Sequence, residues 1–428
     1  MAHVAPDRPE NYSSFQSWLA VLGASLALFS TVGFMNAFGV FQERFRTLLH
    51  GSSDSDISWI GSTAMALMSL LSPVAGVIVD KYGPRIPICI GTITQLLAIF
   101  LASLAKEYYQ ILLSQGVLFG ISMALVTNPS LAVVSRRLPH RRGAAFGLTI
   151  GGSSVGGITW PIMLLQLLYR RDIGYGWTMR AVGFVMMVPL AIACLTVTSP
   201  PTVSAETTPL ENKDGAPRGG ESNSVDEKDR PNKIDFSILK NGAFLFLCLG
   251  LSLTYLGLVV PLFYLSAYAV ERGTSADAAF YLLSGLNAAS FFGRVLPGIL
   301  ADKWGHFNTL ITMTVLSSVV AFSWTAAESL GGLVVLFLAY GFASGGVMSL
   351  QLACAGKLGN KRNQGAVMGC VMGSCAVTGL VGSPIAGRIL GASSYLGLSM
   401  WTGATLLSGA AAVAAARLKA NKKLLAAM

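Results

Sequence analysis

No acidic residue and no histidine falls in the interior of any long apolar run of this sequence. The acids sit in loops, tails or run ends, and His3, His50, His140 and His306 lie outside the runs. That absence removes the usual proton relays, because buried Asp, Glu and His are the groups that exchange protons inside a membrane at moderate pH. It also leaves no ligand set for a metal. Charge is scarce throughout: 12% of the 428 residues are charged against 53% hydrophobic, too apolar for an ordinary soluble globule. The six cysteines (Cys89, Cys194, Cys248, Cys354, Cys370, Cys375) all fall within apolar runs, where a buried thiol acts as a small apolar residue and no disulfide framework follows. A Gly-x-x-x-x-Gly-Lys-Ser/Thr phosphate loop is missing, which argues against an ATP-driven pump in one chain. Without a nucleophile, acid–base cluster or cofactor motif, no enzymatic activity and no cofactor are expected.

What is present is a series of apolar runs near the roughly 20 residues a helix needs to cross a bilayer. Twelve are expected: Trp18 to Val40, Ile57 to Val79, Ile86 to Ala105, Ile111 to Val134, Gly143 to Leu168 and Trp177 to Val197, then Ala243 to Tyr268, Ala276 to Ala301, Leu310 to Ala327, Leu330 to Ala355, Gly365 to Gly387 and Tyr395 to Ala416. The polar start lacks the basic-then-apolar pattern of a cleaved signal, so the first run is expected to be retained. The predicted architecture is all-α and integral to the membrane, with twelve transmembrane helices in two pseudo-symmetric six-helix bundles. Residues 1–15 form an N-terminal tail, 16–198 one bundle, 199–236 a linker, 237–416 the second bundle and 417–428 a C-terminal tail. The linker is rich in Pro, Ser, Thr, Gly and charge and reads as a disordered tether.

The net charge of +10 follows topology. With the N-terminus in the cytoplasm, the short inward loops carry Lys81, Arg85, Arg136, Arg137, Arg141, Arg142, Lys303, Lys357, Lys361 and Arg362, while the outward loops carry far fewer basic residues. This is the positive-inside bias, and an even number of spans puts both termini in the cytoplasm. A nucleic-acid partner is not expected.

The two halves repeat at a fixed offset. Gly76-Val-Ile-Val-Asp80-Lys81-Tyr82-Gly83 after the second span matches Gly298-Ile-Leu-Ala-Asp302-Lys303-Trp304-Gly305 after the eighth, 222 residues on. The same offset carries Gly143, Gly147, Gly151 and Gly157 onto Gly365, Gly369, Gly373 and Gly379. Glycine at such spacing lets helices approach closely, so packing is the expected role of these residues.

With these motifs the chain resembles the major facilitator superfamily over nearly its whole length. Within it, Asn36-Ala-Phe-Gly-Val-Phe-Gln42, Ile57-Ser-Trp-Ile-Gly-Ser62, Arg141-Arg-Gly-Ala-Ala-Phe-Gly147 and Asn287-Ala-Ala-Ser-Phe-Phe-Gly-Arg294 resemble the fungal branch of the monocarboxylate porter family. The superfamily resemblance implies a latch that stabilises the outward-facing state, formed here by Gly76, Asp80, Lys81, Gly83 and Arg85 and, more weakly, by Gly298, Asp302, Lys303 and Gly305. The second copy has His306 and Asn308 where a basic residue is expected.

Arg294 lies eight residues before Asp302, about 12 Å into the hydrocarbon, where an unpaired arginine costs several kcal/mol. It is expected to face the cavity and bind substrate, especially since the offset puts Ser72 at the equivalent place. Asn36, Asn128, Tyr255, Asn287 and Gln351 are the other polar groups expected along the path, although each can instead bond between helices. The aspartate and lysine that accompany this arginine in proton-coupled animal members are replaced by Ser290 and Val40. Facilitated diffusion or exchange is therefore expected.

The first functional reading is transport of a small organic anion, a monocarboxylate by resemblance, through rocking of the halves. The alternative is export of a larger, mainly apolar metabolite or toxin. A third is a non-transporting nutrient sensor. The expected partners are a small-molecule substrate and the lipid bilayer, with the chain a monomer in the plasma membrane.

Overall fold

The computed structural model describes residues 14–48, 54–171, 173–198, 238, 240–359 and 363–420. The tail 1–13, the linker 199–236 and the end 421–428, read above from composition, lie outside the described residues.

Every regular element described is helical. Ten helical stretches are long and apolar enough to cross a membrane: Phe15–Phe41, Trp59–Tyr82, Arg85–Ala102, Tyr108–Arg137, Pro139–Leu168, Tyr175–Thr196, Gly242–Glu271, Leu330–Leu358, Gln364–Ala392 and Tyr395–Ala420. Ala276–Trp304 takes the eighth place and the shorter apolar helix His306–Phe322 the ninth, giving twelve spans in two sets of six. The ninth helix begins four residues before its expected start, because Gly305 turns the chain and helix resumes at once. The twelfth runs to Ala420, through what was read as the start of a tail.

The offset of 222 is visible in the backbone. Gly83 and Gly305 occupy equivalent positions just beyond the second and eighth helices, with φ of 81° and 95°. A left-handed residue ends a helix cheaply only when it lacks Cβ, which is why both copies of the motif have glycine here. The first and seventh spans also break in register. Helix stops at Met35 and resumes at Phe38 in the first, and stops at Leu258 and resumes at Val260 in the seventh.

Apolar burial holds each half together, with Phe34 set edge-on against Phe119 and Trp160 in the first and Tyr268 against Trp324 in the second. Large apolar side chains such as Leu195, Phe184, Val335 and Val377 point outward, as lipid contact requires. Cys89 is among the outward-facing residues, contrary to the expectation that every thiol is buried, and all six cysteines are free.

Candidate functional site: the seam between the halves

The halves meet most closely at the end that carries the basic loops. A Cβ built on Gly143 would lie 2.0 Å from the carbonyl oxygen of Gly298, and one on Gly298 would lie 2.3 Å from that of Gly143. The pseudo-symmetric pair behaves alike, with a Cβ on Gly76 only 2.1 Å from the oxygen of Gly365. Backbones at this distance leave no room for any side chain. One turn deeper, Gly147 meets the carbonyl of Arg294 and Gly369 meets that of Ser72, again at the same offset. The glycine repeat is thus a contact surface between halves.

The motif carboxylates close the same seam. Asp80 accepts hydrogen bonds from the amides of Gly365 at 3.0 Å and Ala366 at 2.7 Å, the first turn of the eleventh span. Asp302 accepts from Gly143 at 2.7 Å and Ala144 at 3.0 Å, the first turn of the fifth. A helix start presents unpaired amides and the positive end of the dipole, so a carboxylate there is stabilised by about 0.3–2 kcal/mol.

The cation beside Asp80 is Arg136, from the end of the fourth span. The motif's own basic residues stay clear of it: Lys81 lies over the Tyr82 ring, and Arg85 and Lys303 are exposed. That differs from the expected latch, and sequence proximity was the misleading cue. A second bond missed from sequence runs from Arg142 to the carbonyl of Gly356 in the other half, at 2.8 Å.

Arg294 sits deeper on this seam. It is 5% exposed, and Nη1 donates across the halves to the Ile150 carbonyl at 2.8 Å and to Ser153 Oγ at 2.6 Å, while Nη2 lies 3.9 Å from Met348 Sδ. The expected cavity-facing guanidinium is therefore turned onto the fifth span in this conformation. A carbonyl left accessible by the glycine-rich turns is what makes the depth of this arginine tolerable.

Above Arg294, Asn36 of the first span and Asn287 of the eighth flank Gly157, whose added Cβ would lie 3.2 Å from Asn36 Nδ2 and 3.4 Å from Asn287 Oδ1. Asn36, five residues before the end of the stretch Phe15–Phe41, is exposed, so the space between the halves is open at this level. Gln351 donates to the Tyr255 hydroxyl at 2.9 Å, and both belong to the second half. Asn128 stands apart, donating to the Ser72 carbonyl at 2.6 Å and 3% exposed, as an interhelical tie. A separate cavity of about 570 Å³ in the first half, lined by Gln16, Tyr82, Arg85, Arg137 and Thr198 among others, contains none of these central residues.

Two helical halves in contact at one end, with polar side chains on an open path beyond, define a membrane transporter of the two-bundle type. The chain belongs to the Major Facilitator Superfamily, whose family profile matches residues 17–383. It is 47% identical to an MFS-type transporter of Aspergillus fumigatus over 90% of this chain and 88% of that one. It is 41% identical to the agnestins efflux protein of Paecilomyces divaricatus over 95% of this chain and 88% of that one. Among solved structures, the human organic anion transporter MFSD10 superposes with a TM-score of 0.68 at 16% identity, covering 93% of this chain and 98% of that one, a likeness of fold.

Proposed function

We propose that the protein exports a mainly apolar organic metabolite from the cytoplasm across the plasma membrane by alternating access, with the basic-loop end facing the cytoplasm. The observation that carries this reading is the open level around Asn36 and Asn287. It offers two neutral amides, with half-buried Phe38 two residues on from Asn36 and half-buried Phe291 one turn on from Asn287. Few polar groups in a soft apolar wall suit a substrate held chiefly by burial and oriented by one or two hydrogen bonds. The 41% identical relative is named for efflux of agnestins, which supports the direction and the class.

A second reading keeps the organic anion, as the likeness to monocarboxylate porters implies. Among the described residues Arg294 has no ion-pair partner within 4.0 Å in this conformation, so separation of the halves would free a cation for an acidic group.

Deleting the gene in its host and profiling small molecules in cells and medium tests the proposal. Export predicts at least one low-polarity compound retained in cells and depleted from the medium, restored by the wild-type gene. Unchanged partitioning of such compounds, with slowed uptake of a supplied carboxylate, would select the second reading.

A further inference from the structure

The cavity of about 570 Å³ in the first half stands apart from the transport path and has a chemistry of its own. It lies at the basic-loop end, between the start of the first span, the loop after the second, and the ends of the fourth and sixth. Arg85 and Arg137 line it, and no carboxylate is among its described lining residues. Arg137 is 6% exposed, and Thr198 fixes its guanidinium, accepting at the carbonyl at 2.9 Å and at the hydroxyl at 2.8 Å. Arg85 is exposed and enters no ion pair among the described residues. The acid nearest to it in sequence, Asp80, is already held by Arg136. We propose that this cavity binds the phosphate of an anionic phospholipid from the leaflet on that side.

The rim of the cavity is what points to a lipid. Leu195 of the sixth span lines it and is 78% exposed, and Ile86, next to Arg85, is 53% exposed. Outward-facing apolar side chains on membrane spans meet acyl chains. Two cations bordered by such a rim suit a molecule with a phosphate at one end and hydrocarbon at the other, whereas a free phosphate would leave the rim unused. Basic pockets between transmembrane helices on the cytoplasmic side hold anionic headgroups in this way. The feature is also single. At the offset of 222, Arg85 becomes Phe307, which is fully buried, Arg137 becomes Gly359 and Leu195 becomes Arg417, so the second half repeats neither the cations nor the apolar rim. The groups that close the seam are doubled, so this cavity serves something other than closure.

Native mass spectrometry of the full-length protein, released from phosphatidylcholine nanodiscs containing phosphatidylserine as a minor component, reads the lipids it keeps. The wild type is expected to retain one phosphatidylserine in preference to phosphatidylcholine. Arg85→Gln, at an exposed position, is expected to weaken that retention about fivefold, and Arg85→Lys to keep most of it. Lys303→Gln removes one cation from the same face outside the cavity and is expected to retain lipid like the wild type. No preference for phosphatidylserine in the wild type, or equal losses in Arg85→Gln and Lys303→Gln, would overturn the proposal. Release of the retained lipid by added inorganic phosphate would overturn it too, assigning the cavity to a free ion.

Discussion

Asp80 and Asp302 make the same pair of hydrogen bonds on opposite sides of one seam. Asp80 of the first half caps the amides of Gly365 and Ala366 in the second, and Asp302 of the second half caps those of Gly143 and Ala144 in the first. Closure at this end is therefore a doubled event, each half anchoring the first turn of a glycine helix in the other. Four consequences can be measured.

Asp80→Asn removes the anion from a helix start and leaves half-buried Arg136 without its counter-charge. The open population at the basic-loop end should rise about tenfold, and Asp302→Asn should do less, about threefold at neutral pH. Ser135 is buried under the Arg142 to Gly356 bond, so the labelling rate of Ser135→Cys reports the change. Equal, unchanged labelling in both variants would contradict the capping role.

A methyl group at Gly143 or Gly365 has no space, whereas a Cβ on Gly391 meets nothing within 4 Å. Gly143→Ala and Gly365→Ala should prevent full closure and cut transport at least about tenfold, because the carbonyls of Gly298 and Gly76 that the new methyls would meet are backbone and cannot rotate away. Gly391→Ala should transport like wild type. Normal transport by correctly inserted Gly143→Ala would show that the close approach is dispensable.

Arg294 now has two candidate duties, clamp and anion receptor, and substrates separate them. On the export reading, Arg294→Ala should lower flux of a neutral substrate and of its acidic analogue by the same factor, since the lost bonds to Ile150 and Ser153 serve closure in both cases. Arg294→Lys should recover part of that flux, lacking the planar fork. Selective loss of the acidic analogue would assign the guanidinium to substrate.

No carboxylate lies in the middle of a span among the described residues, and His306 lies at the basic-loop end of its helix. A proton gradient imposed on proteoliposomes at zero membrane potential should not drive uphill accumulation of a substrate without ionisable groups. Accumulation driven by the gradient alone would reveal a coupling site elsewhere.

Much of this was legible in the sequence because it is periodic. Twelve apolar runs and an offset of 222 need only one-dimensional information, and glycines at that offset marked the surfaces that touch. The depth of Arg294 was legible too, since it follows from counting residues back from Asp302. Its partners were not, because Ile150 lies 144 residues away and nothing local marks a carbonyl as available. Arg136 was hidden in the same way: the motif holds nearer basic residues, but Lys81 and Arg85 point elsewhere, and only the fold brings the end of the fourth span to Asp80. His306 stood out as a departure from the motif, and the fold places its ring beside Asp302, whereas Asp80 has Arg136.

The most direct test of alternating access is to fix the seam and measure flux. Ser135 Cβ lies 3.9 Å from where a Cβ on Gly356 would stand, a separation suited to a disulfide between the halves. In Ser135→Cys/Gly356→Cys protein freed of its native cysteines and reconstituted in proteoliposomes, oxidation should abolish flux of the exported metabolite and reductant should restore it. Undiminished flux through fully cross-linked protein would contradict the account.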